Sequence, residues 1–273
     1  MSHPLRTHPA VSGQAARRFA RGDGGGFTLV ELAIAIVIVG LLIGGIIKGA
    51  AMIESAQEKR LITVIQEIRT ATLLFRDHHG AMPGDMADAM ERLPGCTAAA
   101  LCENGDGNGL VASDGSDQYD WLSPLVGTGI EHEAVQAWKH LALADLITGV
   151  EPSGDPNVSS WGLTRPRSLL GGGFEFYYDA YVGAGGRPGH TLRLSENGLS
   201  AAVAFGEPVR GALTPRQSAA LDIMIDDGNP ATGDVVADYG TPLDECKDTA
   251  GAAALYRESD DAAACILYIH VSP

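Results

Sequence analysis

The apolar positions of the chain first run unbroken, then recur at helical spacing, then alternate. The unbroken run is Phe27–Ile47, FTLVELAIAIVIVGLLIGGII, and its one charged residue is Glu31. It is close to the ~20 apolar residues that a helix needs to cross a bilayer. Beyond it Ile53, Leu61, Ile65, Ile68, Thr72 and Phe75 fall at roughly helical spacing, with Glu54, Glu58, Lys59, Arg60, Glu67, Arg69 and Arg76 supplying a polar face. The two patterns join without a break, which predicts one helix from Phe27 to about His78, on the order of 75–80 Å long at ~1.5 Å per residue. Gly80 and Pro83 end it. Gly40, Gly44, Gly45 and Gly49 weaken this helix or let a neighbouring helix approach closely.

Residues 84–130 are rich in Gly, Asp, Ser and Ala and predict an irregular loop region. A second amphipathic helix is expected over Glu131–Ile147, with Val135, Trp138, Leu141 and Ile147 facing the core. From Gly173 the period becomes two: Phe174, Phe176, Tyr178 and Ala180 alternate with Glu175, Tyr177 and Asp179. His190–Ser195 and Leu199–Phe205 predict a hairpin around Asn197-Gly198. Thr214-Pro215 has the cap and first-turn residues of a helix that runs to about Asp226 and stops at Gly228. A short strand near Val235 and another over Cys265–Val271 complete the pattern. The expected fold class is α+β: a long N-terminal helix packed on an antiparallel sheet, with extra helices.

Charge adds orientation to this picture. Against 34 acidic residues the chain has 19 Lys and Arg, a formal net charge of −15, which argues against nucleic acid as a partner of the head. Four of the bases, Arg6, Arg17, Arg18 and Arg21, precede Gly26, together with Asp23. Basic residues just ahead of the apolar run place the N-terminus in the cytoplasm and everything after Lys48 outside. A secretory signal peptide carries its small-residue cleavage site after the apolar stretch, whereas here Gly24, Gly25 and Gly26 come before it. A cut between Gly26 and Phe27 leaves the helix on the mature protein. A lone carboxylate inside a membrane segment is costly and calls for a partner. The expected partner of Glu31 is the Phe27 α-amino group that such a cut frees, offered by a neighbouring subunit.

The run Gly26-Phe27-Thr28-Leu29-Val30-Glu31, followed by the apolar stretch, resembles the class III signal of type IV pilins and type II secretion pseudopilins. The resemblance implies that a prepilin peptidase cuts after Gly26 and N-methylates Phe27, and that Glu31 is the glutamate used in assembly. It is strongest over residues 22 to about 80, and a leader of this length is similar to those of the type b branch. It implies a removed cytoplasmic leader at 1–26, a long helix at 27–80 with 27–47 in the membrane, and a periplasmic or extracellular head at 81–273. The implied partners are other pilin or pseudopilin subunits, the peptidase/methyltransferase, an inner-membrane assembly platform and the membrane itself. The implied location is the bacterial inner membrane as a single pass, then a filament.

Cys96 with Cys102 and Cys246 with Cys265 form two sequence-local pairs rather than metal-binding CxxC knuckles. That spacing suits two disulfides in an oxidising compartment; four free buried thiols are the alternative. The Cys246–Cys265 segment, just before the last strand, resembles the disulfide-bounded C-terminal loop of many pilins.

Asn104-Gly105-Asp106-Gly107-Asn108-Gly109 places oxygen ligands at alternate positions with a glycine sixth, as in the first half of a calcium loop. The twelfth position is Gly115 rather than Glu, although Asp114, Asp117 and Asp120 are near. Asn104, Asp106 and Asn108 are therefore calcium candidates, with a solvated turn as the other reading. Asp226, Asp227 and Asp234 read as a helix end and its turn, and the adjacent His78 and His79 point to different faces of a helix. No GxSxG or HExxH arrangement occurs, and Gly171–Gly173 precede a strand instead of joining a strand to a helix, so no catalysis is expected of the chain. Two functions from different classes remain: a structural subunit of a type IV pilus or type II secretion pseudopilus, its size favouring a minor or initiating role, or a membrane-anchored binding or adhesion module that never polymerises.

Overall fold

The computed structural model of the chain describes residues 27–112, 130–154, 161–179, 187–198, 209–239, 246–248 and 254–272, with backbone alone for Ile130, Glu131, His132, Tyr239 and Ser272. The chain divides into two units, Met1–Ala51 and Met52–Pro273. The long pattern of the N-terminal third is realised as one helix, α1, Leu29–His79. In the first unit every residue from Phe27 to Lys48 is exposed. In the second unit Leu61, Ile65, Ile68, Ala71, Thr72 and Phe75 are buried, a stripe at helical spacing that the sheet and the other helices cover. The helix stops at Gly80, whose φ of 74° puts it in the left-handed region and whose N–H bonds to the Arg76 carbonyl at 2.8 Å.

The region 84–112, expected to be irregular, contains a one-turn helix, α2 (Ala89–Arg92), and a 3-10 turn at Ala98–Ala100. The first disulfide, Cys96–Cys102, brackets that turn. Residues 113–129 of the expected loop lie outside the described residues.

The second long helix is α3, Ile130–Leu143, and it ends earlier than the expected Ile147. The Leu146 N–H bonds to the Leu141 carbonyl at 3.0 Å and the Asp145 N–H to the Ala142 carbonyl at 3.1 Å, the paired bonds of a Schellman stop. Asp145 takes the left-handed position with φ 56°, a place where glycine is the usual signal, so the sequence carries no visible stop. Trp138 and Leu141 are buried as expected, but so are Glu133, Gln136, Lys139 and His140.

Four strands, β1 (Gly173–Asp179), β2 (Gly189–Ser195), β3 (Val235–Tyr239) and β4 (Cys265–Ser272), make one antiparallel sheet in the order β1-β2-β4-β3. Between β2 and β3 lies a further helix, α4 (Pro215–Ile225), started by a capping box between Thr214 and Gln217 with Pro215 in the first turn. The register stacks Phe176 on Leu192, Leu192 on Ile269 and Ile269 on Val235 along one face. These side chains join Phe75 and Leu61 of α1 in a single apolar cluster.

β2 is flanked by β1 and β4 among the described residues, and the expected hairpin joined it to Leu199–Phe205. That second arm falls on residues outside those described. Ala180, expected in β1, is outside them as well. The polar face of β1 also differs from expectation. Glu175 is buried because Arg165 bonds its Oε1 at 2.5 Å and Arg193, opposite it on β2, bonds its Oε2. The outer edge of β1 is covered by loop carbonyls: the Phe174 N–H reaches Pro166 at 3.0 Å and the Tyr178 N–H reaches Val111 at 2.8 Å. The second disulfide joins Cys246 to Cys265, the first residue of β4.

Candidate functional site

Two places bear on function: the start of α1, and the loop that α3 holds against the exit of α1.

At the start of α1, Thr28 and Glu31 cap one another. The Glu31 N–H donates to Thr28 Oγ1 at 3.2 Å, while the Thr28 N–H and hydroxyl both donate to Glu31 Oε2 at 2.9 Å. This is the Ser/Thr-x-x-Glu capping box, readable in the sequence once Thr28 is taken as the cap. Phe27 precedes it and is 89 % exposed. Gly26 lies outside the described residues. Past the cap, the exposed face is aliphatic all round: Leu29, Val30, Ile34, Ile38, Leu41 and Ile46 each keep at least half of their surface. A Cβ added at Gly40, Gly44 or Gly45 would meet nothing within 4 Å, so these glycines leave open notches along the helix. α1 is long and apolar enough to cross a membrane. A surface of this kind is unstable in water and needs lipid or other apolar helices around it.

The second place is built by α3. Glu133, Gln136, Lys139 and His140 recur at intervals of three and four, so they share one face, and each bonds to the backbone of residues 84–112 or to the nearby Gly154 carbonyl. Glu133 Oε1 accepts from the Asp106 N–H and Oε2 from the Ala112 N–H, both at 2.8 Å. Gln136 donates to the Leu101 carbonyl, and Lys139 donates to the carbonyls of Ala100, Leu101 and Gly154. His140 Nδ1 accepts from the Gly84 N–H at 3.0 Å, which leaves Nε2 as the donor to the Glu103 carbonyl at 3.0 Å. The ring is thereby neutral, and burial pushes its pKa down to about 4. A reading of periodicity missed these contacts, because only their spacing on α3 hints at them.

The glycine-rich loop presses on the exit of α1 at backbone distance. A Cβ at Gly105 would sit 2.3 Å from the Gly84 carbonyl oxygen, and one at Gly84 would sit 2.2 Å from the carbonyl oxygen of Glu133. That contact brings Asp85 to the loop, where its Oδ2 accepts from the Gly109 N–H at 3.1 Å and its carbonyl from the Gly107 N–H at 3.0 Å. Burial raises the pKa of Asp85, and burial together with the negative charges of Asp106 and Asp85 raises that of Glu133 to about 7.

Of the calcium candidates, the structure joins Asp106 to these carboxylates and gives the asparagines other work. Asn104 Oδ1 caps α2 by accepting from the Met90 N–H at 2.8 Å. Asn108 Oδ1 accepts from the Leu110 N–H at 2.7 Å, and its amide donates to Asp106 Oδ2 at 2.9 Å. Asp114, Asp117 and Asp120 lie outside the described residues. The aspartates after α4 act within their own turn: Asp226 accepts from the N–H groups of Asp234 and Val235, and Asp227 from Asn229 and Thr232. His79 rests on Phe75 with ring centroids 4.5 Å apart, while its neighbour His78 is exposed. Cys96 and Cys102 stand near His140, but as a disulfide they offer no thiolate.

With this geometry in view, comparisons with family models, with curated proteins and with solved structures find no match to the chain.

Proposed function

We propose that the chain is a pilin-like structural subunit, of a type IV pilus or a type II secretion pseudopilus, that assembles by packing Phe27–Ile47 against the same segment of neighbouring subunits. The observation that carries this reading is the fully exposed apolar start of α1 with one carboxylate, Glu31, in its first turn. Lipid alone would accommodate the aliphatic residues but not the charge. A filament of parallel helices supplies what lipid lacks, since each new subunit brings an N-terminal amine to the level of a neighbour's Glu31. Thr28 occupies only Glu31 Oε2, and among the described residues no bond to Oε1 is seen. The amine pairing therefore adds to the capping box without breaking it.

In this reading a prepilin peptidase cuts between Gly26 and Phe27 and methylates Phe27. The inner membrane holds the subunit with its N-terminus in the cytoplasm until an assembly platform extracts it. The two disulfides fit a head that matures in an oxidising compartment.

Intact mass and N-terminal sequencing of the protein from membrane and surface fractions of its own bacterium test the processing. A start at N-methylated Phe27 is expected; a start at Met1 or beyond Ile47 would sink the proposal. Assembly is tested by Glu31→Ala, which should be processed yet lost from sheared filaments by about tenfold or more, as removal of a buried charge partner costs several kcal/mol. Because that change also removes the capping box, Thr28→Ala is the control. It keeps the carboxylate and should assemble nearly as well as the parent.

A further inference from the structure

Asp85, Asp106 and Glu133 each bring one carboxylate oxygen to within 4.8 Å of the other two. They come from three stretches of chain: the segment after α1, the glycine-rich loop, and the start of α3. Asp85 is 2 % exposed and Glu133 also 2 %, while Asp106 faces solvent and leaves the cluster open on one side. Burial, backbone N–H donors and other carboxylates act on the two buried acids, with no positive charge among the described residues that do so.

Among the described residues, Asp85 Oδ1 is buried without a hydrogen-bond partner. A buried carboxylate oxygen left unpaired loses its hydration with nothing in return, so native structures seldom tolerate one without an ion or water to meet it. The other oxygens are held but not saturated. Glu133 Oε1 and Oε2 take one N–H each, Asp85 Oδ2 takes one from Gly109, and Asp106 takes the backbone and side-chain N–H of Asn108 on its two oxygens. A carboxylate oxygen has two lone pairs, so each keeps one for a further ligand.

We propose that Asp85, Asp106 and Glu133 hold a hard divalent cation of the calcium class. The three donors are all carboxylate oxygens, and among the described residues no imidazole or thiolate joins their cluster, which disfavours zinc and copper. Calcium accepts six to eight oxygens in a flexible shell, so water on the exposed Asp106 side completes it. Asn104 and Asn108, the other candidates read from the loop, spend their amide oxygens on Met90 and Leu110 instead. The bound ion would fasten the Cys102–Ala112 loop to both the exit of α1 and α3. This site does not depend on polymerisation and fails or stands apart from it.

The test uses the full chain in detergent micelles, stripped with EDTA and titrated calorimetrically with calcium chloride, with magnesium and zinc chlorides as comparators. A saturable calcium heat and a rise in melting temperature with added calcium are expected. Asp106→Asn removes an exposed charge and should keep the metal-free melting temperature while weakening calcium by about tenfold or more. Glu133→Gln should abolish binding, and if it fails to fold, Asp106→Asn alone decides. No calcium heat and no change in melting temperature at millimolar calcium would overturn the proposal. So would unchanged affinity in Asp106→Asn, or a preference for zinc.

Discussion

His190 lies on β2 between the rings of Phe176, 5.6 Å away and stacked, and Tyr178, 5.5 Å away edge-on. Its Nε2 accepts from the Val111 N–H at 3.3 Å, a bond that protonation of that nitrogen would destroy. Burial, helped by Arg76 and His270, pushes its pKa down to about 4. A folded-state pKa below the unfolded value of ~6.5 means that the unfolded chain binds more protons between those limits. The imidazole's contribution to stability is then fully present above about pH 6.5 and is lost as pH falls toward 4. Replacing His190 by Leu removes that dependence. The destabilisation caused by His190→Leu, measured by urea unfolding, should therefore shrink by about 2–3 kcal/mol between pH 7.5 and pH 4.5. Asp222, whose pKa is raised to about 6 by burial, acts in the opposite sense in both proteins and cancels from the comparison. An equal difference at both pH values would show that His190 titrates as an ordinary histidine.

At the scale of elements, Glu175 bridges β1, β2 and the segment before them. Its carboxylate takes Arg165 on one oxygen and Arg193 on the other, and all three side chains are buried. Glu175→Ala takes the carboxylate from two interior guanidiniums, which should cost about 3–5 kcal/mol in chemical denaturation. A loss under 1 kcal/mol would mean that water reaches both arginines. This bridge also marks where legibility in the sequence ended. α1, β1, α4 and β4 could be read because apolar period, capping residues and glycine stops are local signals. The end of α3 could not, since Asp145 fills a glycine-like position without being glycine. The pairing of β2 with β4 could not, because β4 lies far along the chain. The same distinction holds at the sites. Thr28 and Glu31 form a motif within one turn, and Asp106 stood out within its own loop. Asp85 and Glu133 reach Asp106 only after the chain folds, and Glu175 looked like an ordinary outward residue until Arg165 and Arg193 closed over it.

At the scale of the molecule, folding and the proposed assembly draw on different residues. Every buried residue of α1 lies at or beyond Leu61, whereas Phe27–Lys48 are exposed throughout and contribute nothing to the apolar core. Both disulfides, all four strands and the carboxylate cluster belong to the unit Met52–Pro273. A fragment of residues 52–273 should therefore fold without detergent, form both disulfides, and melt within a few degrees of the full chain in micelles, a margin of about 1 kcal/mol for a domain of this size. Its self-association should differ sharply. Without the aliphatic run it should sediment as a monomer, while the full chain on removal of detergent should associate, because an exposed apolar surface of that extent has no stable state alone in water. Should the fragment be unfolded, the N-terminal segment takes part in the core after all. Should the fragment be folded but associate as strongly as the full chain, the drive to assemble lies on the head, and the burial of Phe27–Ile47 could not be what builds the filament.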